Sequence, residues 1–344
     1  MRDEVPTSEP SHQLHFRTSE LNVAHEFVSK SFSEHEIHAP DEGALRFELN
    51  IAPSPRLVIG KMSYGTEVTL DGPPIEFAYH INIPEIGSST VAQGGNCRTF
   101  RAGEAGVVFA PHHPVSIRWS ADCCQHHIQL PRAYFEAHAA KLIGRPVDHP
   151  IEFDLTFDLN SDAARSLRAT ARFLYTELSQ PSGLALLPAA CRELESALMT
   201  QVLMTIPNQL TDTVRTHPSY SGTRRSKMQE ALDYIEAHAD AYLTTTDLAA
   251  NLGISERSLQ AGFQEFVGTS PNAYIRSVRL DRAHIDLIAG LGTVSQIAAR
   301  WGFHHAGRFA HLYRERFGRL PSAAICHEVH PPSPPSTAIV CPVM

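Results

Sequence analysis

The strongest constraint on the fold is a repeat of about 50 residues near the C-terminus. "DLAANLGISERSLQAGFQEFVGTSP" and "SQIAARWGFHHAGRFAHLYRERFGRLP" align with Ala249 on Ala298, Gly253 on Gly302 and Pro271 on Pro321. In each copy a small residue lies four positions before a glycine, and a helix with regularly spaced apolar anchors follows. The small residue lets two helices cross closely, and the glycine supports the sharp turn between them. This is helix-turn-helix grammar, and its duplication at constant spacing separates it from a plain helical hairpin. Between the copies, "NAYIRSVRLDRAHIDLIAG" is unbroken, which predicts one long helix over roughly 272–290 joining the two units.

The faces of the second helix of each unit sort by chemistry. Phe309, Tyr313 and Phe317 recur every four residues and share one stripe, as Leu259, Phe263 and Phe266 do in the first copy. Opposite them stand Arg257, Gln260, Ala261 and Gln264 on one helix and His304, His305, Arg308 and His311 on the other. Arginine suits guanine O6 and N7, glutamine suits adenine N6 and N7, and histidine can donate or accept. Ser255 is placed to cap the first of these helices. Charge agrees in sign. The chain carries a formal net charge of -8, but residues 251–320 hold nine Arg, no Lys and five acids, a net of +4. Local charge is what a polyanion meets. Two such helices on one rigid body can enter successive major grooves about 34 Å apart.

Ahead of this segment the pattern changes period. Leu45, Phe47, Leu49 and Ile51 alternate with polar residues, as do Phe77, Tyr79, Ile81 and Ile83, and then Val115, Ile117 and Trp119. "DGPP", "AQGGN" and "RAGEAG" punctuate these runs, which predicts short strands in a sandwich or small barrel. Helical periods surround it: a short helix over 19–32, "RAYFEAHAAKLIG" after Pro131, and a pair over 161–178 and 187–204. The expected class is therefore α+β: an N-terminal sandwich or small β-barrel with flanking helices, then an all-α tandem helix-turn-helix domain. Residues 1–15 read as disordered, 16–206 as the barrel with its helices, 207–225 as a linker, 226–325 as the tandem helix-turn-helix domain, and 326–344 as a Pro-rich tail.

Residues 226–325 resemble the DNA-binding domain of the AraC/XylS family of bacterial transcription regulators. I-A-x-x-x-G-F, F-x-x-x-Y and F-G-x-x-P in the second copy carry most of the match. Ala261 and His311 stand where many relatives have a basic residue. Gly262 and Gly307 lie inside the reading helices, where backbone approach to the phosphates could replace a side-chain clamp. The resemblance implies that 16–206 is an N-terminal cupin-like β-barrel with flanking helices, an effector-sensing and possibly dimerising domain, with activation favoured over repression and RNA polymerase as a partner, alongside double-stranded DNA and a possible homodimer.

The barrel residues suggest the effector's character. Phe77, Tyr79, Trp119 and His126 form a mostly aromatic set with polar tips, suited to a small aromatic or hydrophobic molecule; a filled core without a cavity is the competing reading. "CCQHH" (123–127) is the best soft-ligand cluster, but neighbours on a strand point to opposite faces, so no metal site and no cofactor is expected. No nucleophile–base constellation or phosphate loop occurs, so the chain does not read as an enzyme. Six scattered cysteines fit reduced cytoplasmic thiols, and no apolar run reaches the roughly 20 residues that cross a bilayer. Two alternatives remain: a DNA-binding regulator controlled by a protein partner, and a cupin-type enzyme fused to a helical module.

Overall fold

The computed structural model describes residues 14–54, 56–180, 183–184, 187–216 and 223–325. The chain opens with β1 (Leu14–Thr18), α1 (Leu21–Ser31) and β2 (Glu36–His38). A run of strands follows: β3 (Phe47–Pro53), β4 (Val58–Ser63), β5 (Val68–Gly72), β6 (Ala78–Ile86), β7 (Ser88–Gln93), β8 (Asn96–Arg101), β9 (Ala105–Phe109), β10 (Val115–Trp119) and β11 (Cys124–Pro131). With a later strand, β12 (Thr156–Asp158), they form two antiparallel sheets, ordered β1-β3-β4-β11-β6-β9-β12 and β2-β5-β10-β7-β8. The arrangement is barrel-like, although the sheets do not close on each other. Leu45, Phe47, Leu49 and Ile51 point together into an apolar cluster with Val68, Leu70 and Trp119 between the sheets.

Helices then cover the outer face of the larger sheet. They are α2 (Arg132–Ile143), α3 (Asp162–Leu178) and α4 (Pro188–Thr205), with β12 (Thr156–Asp158) between the first two. Gly144 ends α2 in the left-handed conformation at φ +76°, where a glycine carries no Cβ penalty. Leu167, Leu174, Leu198 and Val202 pack with Tyr79, Ile81, Ile83, Ile128 and Leu130 of the sheet in one buried cluster. The helices thus dock on the barrel.

The remaining helices are α5 (Thr211–Thr216), α6 (Thr223–Ala237), α7 (Thr245–Asn251), α8 (Glu256–Phe266), α9 (Pro271–Ile288), α10 (Val294–Arg300), α11 (Ala306–Phe317) and α12 (Pro321–Ala324). Two boundaries need correction. The stretch expected to be a linker holds α5 and the start of α6, while 217–222 lie outside the described residues. Residues expected to be disordered reach into β1, where Leu14 and His15 pair with Ile51 and Asn50; residues 1–13, like the tail beyond 325, lie outside the described residues. Among the described residues Cys97, Cys123, Cys124 and Cys191 are free thiols, and no helix is long and apolar enough to cross a membrane.

Candidate functional site

Two helix-turn-helix units sit on either end of α9. In the first, α7 and α8 are joined through Gly253 at φ +62°; in the second, α10 and α11 are joined through Gly302 at φ +77°. A Cβ at Gly302 would also lie 2.9 Å from Arg279 Nη1, so this glycine serves close approach as well as the turn. Thr244 and Ser255 cap α7 and α8 by accepting from Asp247 N and Ser258 N, each at 3.1 Å. Thr293 and Gln296 form a reciprocal capping box at α10.

The second helix of each unit sorts its side chains as the sequence implies. Leu259 and Phe263 on α8, and Phe309, Tyr313 and Phe317 on α11, are buried. Arg257, Gln260, Ala261 and Gln264 are exposed along α8; His304, His305, Arg308 and His311 are exposed before and along α11. Arg276 and Arg279 of α9 line a groove with His304, His305 and Arg308, which widens the cationic surface of the second unit. The sequence reading missed these arginines because α9 was assigned only a joining role. Arg279 also donates to Ala239 O at 2.8 Å and Ala241 O at 2.7 Å, so part of its function is to fix the chain entering α7.

The two glycines inside these helices differ. At Gly262 a Cβ would lie 2.3 Å from Met228 Sδ, so this position faces α6 and permits close helix packing; it is not a point of phosphate approach. A Cβ at Gly307 would meet nothing within 4 Å.

In the sensor half, the four candidate effector residues are not brought together. Trp119 lies between the sheets and lines a cavity of about 80 Å³ with Phe32, Met62, His80, Asn82 and His127. Tyr79 points to the opposite face of β6; its hydroxyl donates to Glu136 at 2.9 Å and accepts from Ile151 N at 2.7 Å. His126 also lies on that outer side, with Nε2 3.1 Å from Glu85 and its ring against Tyr175 of α3. Phe77 precedes β6 and packs edge-on against Phe317 and His284 of the helical domain. The physical reason is that β6 and β11 are covered on both faces. Their apolar residues meet the helices and most of their polar residues meet the barrel interior, with His126, paired to Glu85, a polar exception on the outer face.

Those interior residues form a relay. His127 Nδ1 lies 2.7 Å from Asn82 Oδ1, and His127 Nε2 lies 3.1 Å from His80 Nδ1. Burial drives both imidazoles far from their ordinary range, His127 to about 3 and His80 well down, so both are neutral near pH 7. With neutral rings the pattern closes one way: His127 donates to Asn82, His80 donates to His127, and His80 Nε2 keeps a lone pair. Among the described residues that nitrogen and the Trp119 Nε1–H have no partner. The residues lining the cavity therefore include an unpartnered acceptor, His80 Nε2, and an unpartnered donor, Trp119 Nε1–H, and His35 at its edge leaves Nε2 without a partner as well. A signal was present in "AYHINI" and "CQHHIQL", where polar residues alternate on strands that register His127 opposite Asn82 and Gln129 opposite His80.

The halves meet through a buried ion network. Arg56, in the turn between β3 and β4, holds Glu195 of α4 at 2.8 Å and Glu236 of α6 at 3.1 Å. Arg56 N and Ser54 Oγ donate to the same Glu195 oxygen at 2.9 and 2.6 Å, and Tyr274 Oη of α9 donates to Glu236 at 2.9 Å. The seam also includes Phe77 on Phe317, the buried Tyr134 hydroxyl donating to Val278 O at 3.3 Å, Lys141 beside Asp233 at 3.4 Å, and Arg319 donating to Ser29 O.

Comparison with known proteins matches both halves. Residues 24–204 match the AraC-binding-like domain family, and residues 248–325 match a helix-turn-helix domain family. The chain is 30% identical over 316 residues to the probable thc operon regulatory protein of Rhodococcus erythropolis, covering 89% of this chain and 93% of that one. It is 25% identical over 309 residues to the XylDLEGF operon transcriptional activator 3 of Pseudomonas putida, covering 86% and 87%. Among solved structures, the AraC-like transcriptional activator CuxR aligns at 14% identity and a TM-score of 0.46, covering 80% of this chain and 96% of that one. These relatives are transcription regulators, and none is named as an enzyme.

Proposed function

The chain belongs to the AraC/XylS family of bacterial DNA-binding transcription regulators, and from that premise we propose that it is a cytoplasmic activator in which α8 and α11 read successive major grooves under the control of a small uncharged effector. The observation that carries the DNA-reading part is the sorting of side chains on those helices. Arg257, Gln260, Gln264, His304, His305, Arg308 and His311 are exposed opposite buried anchors. These are the residues we assign to base and phosphate contacts. Activation further requires contact with RNA polymerase. Phe173 of α3, 50% exposed, and Met204 of α4, 40% exposed, are the surface we assign to pairing of two chains.

The effector part rests on the cavity beside Trp119. Its wall holds no Lys or Arg, it includes Glu34, and burial pushes all three of its histidines (His35, His80 and His127) down from the ordinary imidazole range, so an ionised carboxylate would be buried without a counter-charge. A small aromatic with a hydroxyl or amide suits the His80 acceptor and the Trp119 donor better. About 80 Å³ is room for a few waters, so a ring must displace a wall residue as it enters. Phe32 is placed to move. It also borders the groove between the halves that is lined by Phe77, Phe317 and Arg319. Effector entry would then alter the seam against the second helix-turn-helix unit.

Two measurements on the full chain test this reading. Footprinting on the DNA flanking its own gene should protect two major-groove patches on one face, separated by about 34 Å; one patch, or none, would remove the tandem-reading claim. A thermal-shift panel should rank uncharged phenols and benzamides above benzoates, with stabilisation near 2.7 kcal/mol at 100 times the dissociation constant. Silence across that panel would make the cavity a core defect and leave control by a partner protein as the account.

A further inference from the structure

We propose that His112, His113 and Glu152 form a binding site for a zinc-class divalent cation at the rim of the sensor domain. Their ligand atoms all lie within 4.8 Å of one another, and His112 Nε2 is 2.6 Å from Glu152 Oε1. A tetrahedral ion with bonds of about 2.0–2.1 Å spaces its ligand atoms by about 3.3–3.4 Å, so modest side-chain shifts complete the set. Two imidazoles and one carboxylate, with no thiol, suit zinc and its neighbours rather than magnesium or calcium, which take oxygen ligands. Three protein ligands leave a fourth position for water.

What distinguishes this cluster from surface histidines is how its backbone is held. The buried Gln93 uses its whole amide on the turn that carries both histidines. Its Nε2 donates to Ala110 O at 3.1 Å and His113 O at 3.0 Å, while its Oε1 accepts from Ala110 N at 2.8 Å. A second glutamine does the same for the carboxylate. Gln209 Oε1 accepts from Glu152 N at 2.8 Å, and its Nε2 donates to Pro150 O at 3.2 Å. Both segments are thus fixed by side chains that present the ligands without competing for them, the arrangement that pre-organises a metal site. In addition, both ring nitrogens of His112 are shielded from solvent; Nε2 faces only Glu152, and Nδ1 has no hydrogen-bond partner among the described residues. A cation would bind one of these nitrogens.

The place of the site in the fold gives the ion a task. The segment holding Glu152 is tied to the end of α4: Asp154 N donates to Pro207 O at 3.0 Å, and Phe153 bridges Asn208. A bound cation would staple the β9–β10 turn to the strip of chain that leaves the sensor domain. The sequence reading found no ligand spacing here because His113 and Glu152 are far apart in the chain. Their proximity is created by β9 pairing with β12.

The test titrates Zn²⁺ from a chelator buffer into full-length protein, with Mg²⁺ as control. Wild type should bind one equivalent with a dissociation constant below about 10 µM and melt at a higher temperature when loaded. His113→Ala and Glu152→Gln should weaken binding at least about tenfold and lose the melting increment. Glu152 is exposed and glutamine has its shape, so that variant should fold even if the histidine variant does not. Weaker wild-type binding, or wild-type affinity retained in Glu152→Gln, overturns the site and returns His112 and His113 to ordinary surface residues.

Discussion

The two helix-turn-helix units are copies of one motif, yet they are fastened to the molecule by different means. The second is bolted to α9. Arg316 grips the buried Asp281 through two bonds of 2.7 and 2.8 Å; Arg300 and Trp301 Nε1 share Asp286 at 2.9 and 2.8 Å; and His284 pairs with the Tyr313 hydroxyl at 2.6 Å. The first meets α9 through Arg279 on the Ala239 and Ala241 carbonyls and through Phe263 against Tyr274, with no comparable ion pair to α9 among the described residues. It packs through Phe263 and Gly262 on α6, and α6 is held to the sensor domain by Arg56 through Glu236. Thus α9 grips the second reading helix through side-chain pairs, and that unit meets the sensor domain through Phe77 on Phe317 and Arg319 on Ser29, while the first leans on α6 and through it on the Arg56 network. The sensor domain therefore reaches both units, by an apolar and peripheral seam at the second and by buried charge at the first.

The largest expected effect breaks that distinction at its source. Arg56→Ala leaves Glu195 and Glu236 buried without their cation, and stranding a buried charge costs about 3–5 kcal/mol. Denaturant melts should show that loss. Hydrogen exchange should show α6 and α8 opening before α11. Equal loss of protection in both reading helices would mean that the units share one anchor after all.

The glycine pair sharpens the comparison at smaller scale. Gly262→Ala forces a methyl against Met228 and should cost about 1–3 kcal/mol as an overpacked contact. Gly307→Ala enters open space and should stabilise α11 by up to about 1 kcal/mol through helix propensity. If both substitutions shift the melt in the same direction, the packing difference assigned to the two helices is wrong.

These contrasts also explain what was legible in the sequence. The helical domain could be read because its anchors recur every four residues and its caps are local: Ser255, the turn glycines and the joining helix all lie within a few residues of what they organise. The strands could be read as well, since period two marks them wherever they go. Which face meets the cavity could not. On β10 the apolar set of Val115, Ile117 and Trp119 does face inward. On β6 and β11 the same rule puts Tyr79 and His126 inside, whereas helices on the outer face claim the apolar side and leave His80, Asn82 and His127 within. Alternation names two faces without saying what covers each. Arg56 and Glu236 were equally silent, because their pairing depends on how α6 docks, 180 residues further along the chain.

Two differently anchored helices, α8 and α11, should each read their own half of one DNA site. The direct measurement is a base-substitution scan of the footprinted site with wild type, Arg257→Ala, Arg308→Ala and the double variant. Arg257→Ala should relax discrimination in one half-site and Arg308→Ala in the other, by about 1–3 kcal/mol each, with the double variant showing the sum. Uniform weakening over all positions, or both variants relaxing the same half, would contradict it.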